Sequence, residues 1–308
     1  LIKYQNGVPT GGMMSNNGVL ARIRRSEGAS GLAIISPSAI YAILLLAAPL
    51  ATVLLFSVLT SENGQIVWDF SLSNYETVFS HPVYRAIMLR SLMVSMLVTL
   101  VTVMLAYPLA YYISFHVPAH RKSMWLFLVT LPFWTSYIIR VSLWRVILGY
   151  NGVIDSALMD LGLIGEPLNI LSNGVASIVI TLAHAYAPFA ILPIFVALEK
   201  VDRSLLEAGQ DLGESKLRTF WRVTLPLSMP GVIAAVLIVF IPTVGDYVTP
   251  ELIGGGKVPM IANMIESQLL KQRDQALGSA LSVTVMMIVA VVSIIFLLLN
   301  RRFLRGQK

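Results

Sequence analysis

Glu199-Lys-Val-Asp-Arg-Ser204-Leu-Leu-Glu207-Ala208-Gly209-Gln-Asp-Leu212-Gly213-Glu-Ser215-Lys-Leu-Arg-Thr-Phe-Trp-Arg-Val-Thr-Leu225-Pro226-Leu-Ser-Met-Pro230-Gly231 is a polar interval between two apolar runs. Its local pattern predicts shape. Ser204 followed by Glu207 has the spacing of a capping box, so a short helix is expected from Ser204. Gly213 ends it, because glycine takes the left-handed conformation cheaply. Leu205, Ala208, Gly209 and Leu212 then fall on one face at helical spacing, and Ala208 and Gly209 leave that face nearly flat. A second helix is expected from near Ser215 to just before Pro226. It carries Lys216, Arg218 and Arg222 beside Phe220 and Trp221, a pattern suited to a helix at a membrane surface. A flat-faced helix projecting from a membrane protein suits docking in a partner's groove. An interfacial loop that merely links two spans has the same local pattern.

The flanks set the solvent. Crossing about 30 Å of hydrocarbon takes roughly 20 apolar residues in a helix. Six runs have that length, at about Pro37–Leu59, Ser91–Ser114, Met124–Leu148, Gly174–Leu198, Gly231–Val248 and Leu277–Leu299. Barrel strands would be about ten residues long and alternating, so helices are the expected spanning form. Composition agrees. Only 12% of the 308 residues are charged and 56% are hydrophobic, against roughly 25% charged in a globular protein. The chain has no cysteine, which excludes disulfides, thiolate metal sites and cysteine nucleophiles. The four histidines show no metal-ligand spacing, and no metal site is expected.

Six spans place both termini on one side. The face shared with the quoted interval holds Lys3, Arg22, Arg24, Arg25, Arg121, Lys122, Lys200, Arg203, Lys216, Arg218, Arg222, Arg301, Arg302, Arg305 and Lys308. The opposite face and span ends hold Arg85, Arg90, Arg140, Arg145, Lys257, Lys271 and Arg273. The bias makes the first face cytoplasmic. The net charge of +6 is thereby a topology signal rather than a nucleic-acid footprint. Residues 1–36, rich in Gly, Asn and Ser, read as a flexible cytoplasmic tail, residues 37–303 as the membrane domain with its loop at 199–230, and residues 304–308 as a cytoplasmic tail. No cleavable signal is expected, because the run from Pro37 exceeds a signal core of about 7–15 residues.

With these residues in view, the loop resembles the EAA loop of binding-protein-dependent ABC importer permeases. That pattern is Glu-Ala-Ala, a Gly after three further residues, then a hydrophobic-Leu-Pro about a dozen residues on. This chain supplies Glu207, Ala208, Gly213, Leu225 and Pro226 and departs at Gly209, which stands where the pattern has Ala. The departure weakens the helix by about 1 kcal/mol but keeps the position small. The likeness runs from about Pro37 to Phe303. Tyr107-Pro108-Leu109-Ala110, Pro132-Phe133-Trp134-Thr135, Asn151-Gly152, Leu192-Pro193 and Gly245-Asp246-Tyr247-Val248-Thr249-Pro250 with Gly254-Gly255 are similar to the spermidine/putrescine branch.

The resemblance implies an all-α integral membrane protein with six transmembrane helices in the type I ABC importer fold, in a bacterial inner membrane. It implies two cytoplasmic ATP-binding subunits, a periplasmic substrate-binding protein, and a second related permease in a heterodimer rather than a homodimer. The short helix, through Ser204, Glu207, Ala208, Gly209 and Gly213 with Leu225 and Pro226, would dock in the ATPase. No cofactor is expected on this chain. Gly254-Gly255-Gly256-Lys257 lacks the Walker A pattern, having Glu251 and Val258 at the deciding positions. ATP and Mg belong to the partner.

Polar residues inside spans are functional candidates by default. His184, about ten residues into span four, is placed near the bilayer middle, where it either lines a pathway or bonds between helices. Asp246 is about 15 residues into span five, or roughly 22 Å along it. Arg140 lies at similar depth in span three. Two readings stand: an Arg140–Asp246 ion pair, since either charge alone is costly to bury, or contact of Asp246 with an ammonium of a cationic solute. Trp134, Tyr137 and Trp144 are candidates for an aromatic wall facing such a cation, with Tyr247 beside Asp246. A small cationic solute, a polyamine above all, is the expected cargo. A proton-coupled secondary transporter using His184 and Asp246 as a relay, and a structural membrane protein, are the rival classes.

Overall fold

The structure is a computed structural model that describes residues 27–168, 170–254 and 257–305. The chain divides into two compact units, residues 1–52 and 53–308. Helix α1, Glu27–Ser57, supplies the described part of the first and reaches into the second. Its described part already covers the ten residues before Pro37, so the boundary drawn at residue 36 falls inside a helix. Its membrane-length portion is Ile34–Ser57. Lys3, Arg22, Arg24 and Arg25 lie outside the described residues, as do Gly255, Gly256 and Lys308.

In the second unit, β1 (Leu59–Glu62) and β2 (Gln65–Phe70) form an antiparallel hairpin. Asn63 and Gly64 turn it with φ of 51° and 77°, the left-handed pair that a two-residue hairpin requires. The Asn-Gly dipeptide was the available signal for this small sheet in an otherwise helical protein. Helix α2 (Ser73–Ser80) follows, anchored by Asn74 Nδ2 donating to the Leu59 carbonyl at 2.7 Å and by the Tyr75 hydroxyl on Ser57 Oγ at 2.8 Å.

The long helices are α3 (Pro82–Phe115), α7 (Gly174–Glu199), α10 (Leu225–Val244) and α13 (Gln275–Leu299). Between them lie α4 (Ala119–Thr130), α5 (Tyr137–Ile147), α6 (Val153–Asp160), α8 (Arg203–Asp211), α9 (Lys216–Thr219), α11 (Val248–Leu252) and α12 (Ile261–Glu266), with α14 (Arg301–Arg305) last. Among the described residues five helices are long and apolar enough to cross a membrane, and a bent pair makes six if counted as one span. The bend corrects the third expected span. Ala119–Trp134 and Tyr137–Ile147 meet at 88° rather than running straight.

Helices α3, α7 and α10 build one core from Val98, Ile113, Ile178, Leu182, Ile194, Leu198, Ala235 and Val239. A second cluster joins α2, α3, α10, α12 and α13 through Val78, Ile87, Phe240, Ile261, Ala280 and Leu281. Close approach of α7 and α10 depends on Gly231, where a Cβ would sit 2.5 Å from both Ala197 Cβ and the Pro193 carbonyl oxygen. Small residues allow this kind of contact where lipid provides no hydrophobic drive. Polar ties add register: the Tyr107 and Ser228 hydroxyls lie 2.8 Å apart between α3 and α10, and the Ile261 N–H donates to Ser91 Oγ at 2.7 Å.

Candidate functional site

Helix α8 is the short helix expected in the loop, a knob on the end of the bundle, with a different start. Asp202, not Ser204, is its N-cap: the Ser204 N–H donates to Asp202 Oδ1 at 3.0 Å. An ionised carboxylate on the orphan N–H groups at a helix N-terminus outcompetes a hydroxyl two residues further in. The Ser204 backbone N–H, aided by its side chain, holds the Asp202 carboxyl below its ordinary range. Glu207 therefore sits in the second turn and closes no capping box. The stop is as expected. Gly213 takes φ +83°, its N–H donates to the Gln210 carbonyl at 2.9 Å, and the Glu214 N–H donates to the Gly209 carbonyl at 3.1 Å. These two bonds form a Schellman closure.

The two faces of α8 also separate more finely than spacing alone implied. Leu205, Glu207, Ala208 and Leu212 are exposed, Leu212 at 86%. Leu206, partly buried, and the exposed Gln210 border a cavity of about 170 Å³ lined also by Tyr111, Phe115 and Phe220. Gly209 faces inward: a Cβ there would lie 3.4 Å from the Thr219 side chain. Its smallness serves the packing of α8 on α9 rather than the outer face.

The second helix does not stop before Pro226. Ser215 caps it by accepting from the Arg218 N–H at 3.4 Å. After α9 the chain widens into a π turn at Phe220–Thr224 and continues as α10, giving one helix over Lys216–Val244. Proline lacks an N–H and its ring crowds the carbonyl four residues back. The wide turn, in which the Leu225 N–H reaches the Phe220 carbonyl, absorbs that mismatch. The basic, aromatic segment is thus the root of span five. Arg222 pairs with Glu214 at 2.6 Å beside the Schellman turn.

At the other end of the bundle the candidate residues gather around the break in span three. Helix α10 ends at Val244, so Asp246 stands just past a helix rather than inside one. It is 8% exposed. Its Oδ2 accepts from the Tyr137 hydroxyl at 2.7 Å, and its Oδ1 from the Val248 and Thr249 N–H groups at 3.0 and 3.4 Å. The Tyr137 and Thr249 hydroxyls are 2.7 Å apart. Asn263 Nδ2 donates to the Tyr247 carbonyl at 2.8 Å, holding the next residue, whose side chain is half exposed. Thr249, which lies in the Gly245–Pro250 run, and Asn263 complete this cluster, and nothing in the sequence around Asn263 signalled its part.

Arg140 forms no ion pair with Asp246. Its guanidinium donates to the Thr135 carbonyl at 3.2 Å and to the Ala185 carbonyl at 3.5 Å, with the Phe133 ring 6.0 Å away. The helix break frees the Thr135 carbonyl, and the buried cation takes it. Each charge is therefore held separately, by neutral dipoles, although the buried Arg140 Nε has no hydrogen-bond partner among the described residues. The aromatic wall divides in the same way. Tyr137 is committed to Asp246, Trp144 Nε1 donates to His184 Nδ1 at 3.2 Å, and Trp134 projects at 79% exposure from the turn before the break. Among the described residues no hydrogen bond links His184 to Asp246.

A helical bundle with a Schellman-capped short helix at one end and a buried acid at the other has counterparts among known proteins. The model of the family described as binding-protein-dependent transport system inner membrane component matches residues 72–305. The chain belongs to this family. Among its relatives in the permease family, the spermidine/putrescine transport system permease protein PotB of Haemophilus influenzae is 36% identical over 259 residues, 82% of this chain and 90% of the relative. PotB of Escherichia coli is 34% identical over 241 residues, covering 78% and 86%. A crystal structure of a bacterial ABC transporter that imports the acidic polysaccharide alginate matches with a TM-score of 0.70 at 17% identity, over 94% of this permease and 99% of that chain. A bacterial alginate ABC transporter in complex with a periplasmic protein bound to an alginate pentasaccharide gives 0.72 at 17%, over 93% and 98%. At that identity the likeness is one of fold. The permease is thus a multi-pass inner-membrane transport component.

Proposed function

We propose that this permease subunit carries a polyamine such as putrescine or spermidine from periplasm to cytoplasm, driven by ATP that two separate cytoplasmic subunits bind with Mg and hydrolyse. One observation carries the mechanism: α8 offers Leu205, Glu207, Ala208 and Leu212 outward while its inner face is rooted on α9 and span five. A push on such a knob reaches the bundle instead of being lost in a loop. The basic excess on the knob's side supports a cytoplasmic knob and cytoplasmic termini. A second, related permease completes the pathway, and a periplasmic protein delivers the solute.

The PotB relatives are spermidine/putrescine permeases, which supports a polyamine cargo. The buried Asp246 carboxylate, with Tyr247 exposed beside it in sequence and Trp134 exposed in the turn just before Tyr137, supplies chemistry fitting an ammonium group. The test is to reconstitute this chain with the subunits encoded beside it and titrate the binding protein with putrescine, spermidine, an amino acid and sulfate. Stimulated ATP hydrolysis and uptake with the polyamines alone are expected. Stimulation by a neutral or anionic solute, with none by polyamines, overturns the cargo. Uptake that persists without the ATPases and stops with an uncoupler overturns the mechanism.

A further inference from the structure

Beside the knob, one carboxylate joins three spans. Glu199 is the last residue of α7. Its Oε1 accepts from Lys122 Nζ of α4 at 2.5 Å and from Ser114 Oγ of α3 at 2.6 Å. The Ser114 carbonyl in turn accepts from the Arg203 guanidinium at 3.1 Å. Arg203 is the first residue of α8 and lies over the Phe115 ring at 5.8 Å. The inner part of the path is sheltered, with Ser114 buried and the Lys122 side chain 14% exposed, while Glu199 at 36% and Arg203 stand at the surface.

The knob thus has two roots. On one side it packs through Gly209 on Thr219 and continues into span five. On the other, residues 200–202 alone link α7 to α8 along the chain, and a short linker by itself leaves rotation free. The Lys122–Glu199–Ser114–Arg203 chain of bonds removes that freedom. We infer that Glu199 is a positioning residue for coupling: it fastens the root of the knob to spans two, three and four, so that a stroke on α8 moves α3, α4 and α7 as one body. The inference rests on reading α8 as the ATPase contact.

The acid matters for geometry as well as charge. A single oxygen takes both donors, so the ammonium of α4 and the hydroxyl of α3 are held against the end of α7 together. Glutamine keeps an acceptor for Ser114 but leaves Lys122 without its counter-charge. The path uses no residue of the Tyr137–Asp246 cluster, so a defect here should spare recognition of the solute.

The experiment measures solute imported per ATP hydrolysed in proteoliposomes holding the full complex and loaded binding protein. Glu199→Gln and Lys122→Met should each lower that ratio about tenfold, within the range of ordinary coupling energies, with assembly retained and hydrolysis continuing. Lys122→Arg should keep the wild-type ratio. Because the chain has no cysteine, a Ser114→Cys/Glu199→Cys pair provides a unique tether. The ratio should fall in the untethered double variant and recover once a short thiol crosslinker joins the two. A wild-type ratio in Glu199→Gln, or no recovery on tethering, overturns the inference. Gly213→Asp serves as the control for the reading beneath it. If Gly213→Asp is uncoupled while Glu199→Gln is not, only the Glu199 inference fails. If Gly213→Asp itself is fully coupled, the reading of α8 as the ATPase contact fails.

Discussion

The Tyr137 hydroxyl donates to Asp246 at 2.7 Å, across a separation of 109 residues. The bond ties the first residue of α5, just past the break in span three, to the turn that ends span five. A hydrogen bond to a charged group contributes roughly 1.5–3 kcal/mol, and this one sets the side chain of a buried acid. Tyr137→Phe should therefore insert normally and lower uptake severalfold, chiefly by raising the concentration of loaded binding protein needed. Asp246→Asn should lower polyamine uptake more strongly, on the order of tenfold or beyond if a full ion contact is lost. Initial-rate uptake at graded solute concentrations checks both; equal uptake by Asp246→Asn and wild type would remove the acid from the pathway.

Gly213 occupies a backbone conformation that costs other L-residues about 1–2 kcal/mol. Gly213→Ala should loosen the Schellman turn, and Gly213→Asp should do so while adding a charge beside Glu214. Both should reduce transport per ATP with the protein still in the membrane, and Gly213→Asn should be the mildest of the three. Measuring uptake and hydrolysis on the same proteoliposomes separates lost coupling from lost protein.

Gly209 gives the opposite sign. A Cβ at this position meets Thr219 at 3.4 Å, an ordinary contact, and alanine favours helix by about 1 kcal/mol. Gly209→Ala should therefore couple as well as wild type and unfold at a slightly higher temperature. Gly209→Leu has no room against Thr219 and should displace α8 and lose coupling. Thermal melts of the two variants beside their transport ratios test this.

The Asp202 cap makes the knob sensitive to acid. Its carboxyl is held below the ordinary range in the folded state, so its contribution is complete above the unfolded carboxylate pKa. It is lost as pH falls through the depressed folded value. Asp202→Asn should retain the cap and abolish that acid dependence, while Asp202→Ala should weaken α8 at every pH. Protection of the 203–206 amides against hydrogen exchange, followed from neutral to acid pH, reads the difference directly.

These residues also show what the sequence could reveal. The first and last spans stood out because a long apolar run needs only length to be recognised, and Gly213 because few residues accept its φ. The break in span three was hidden. Pro132 marks it, yet Pro108, Pro188 and Pro193 sit inside helices that run on unbroken. The buried packing around α3 and α7 holds those helices, and no pattern of single residues reports it. The Arg140–Asp246 pair was one of the two readings that the cost of isolated charge left open. It failed because the unseen break supplied a free carbonyl to one partner and Tyr137 to the other. Asp202 competed with Ser204 within one turn, a choice spacing alone could not make. The Glu199 node joins residues 77 and 85 positions apart, and only the folded bundle brings them together.

The central claim is that α8 receives the stroke of an ATPase on the cytoplasmic side. Single cysteines at Leu205, Ala208 and Leu212 in this cysteine-free chain, each paired with cysteines in the ATPase cleft, test it most directly. Crosslinks to the ATPase that change in yield between ATP-bound and nucleotide-free complexes are the predicted result. Labelling of the same cysteines by a membrane-impermeant thiol reagent added from the periplasm, with no ATPase adduct, would contradict it.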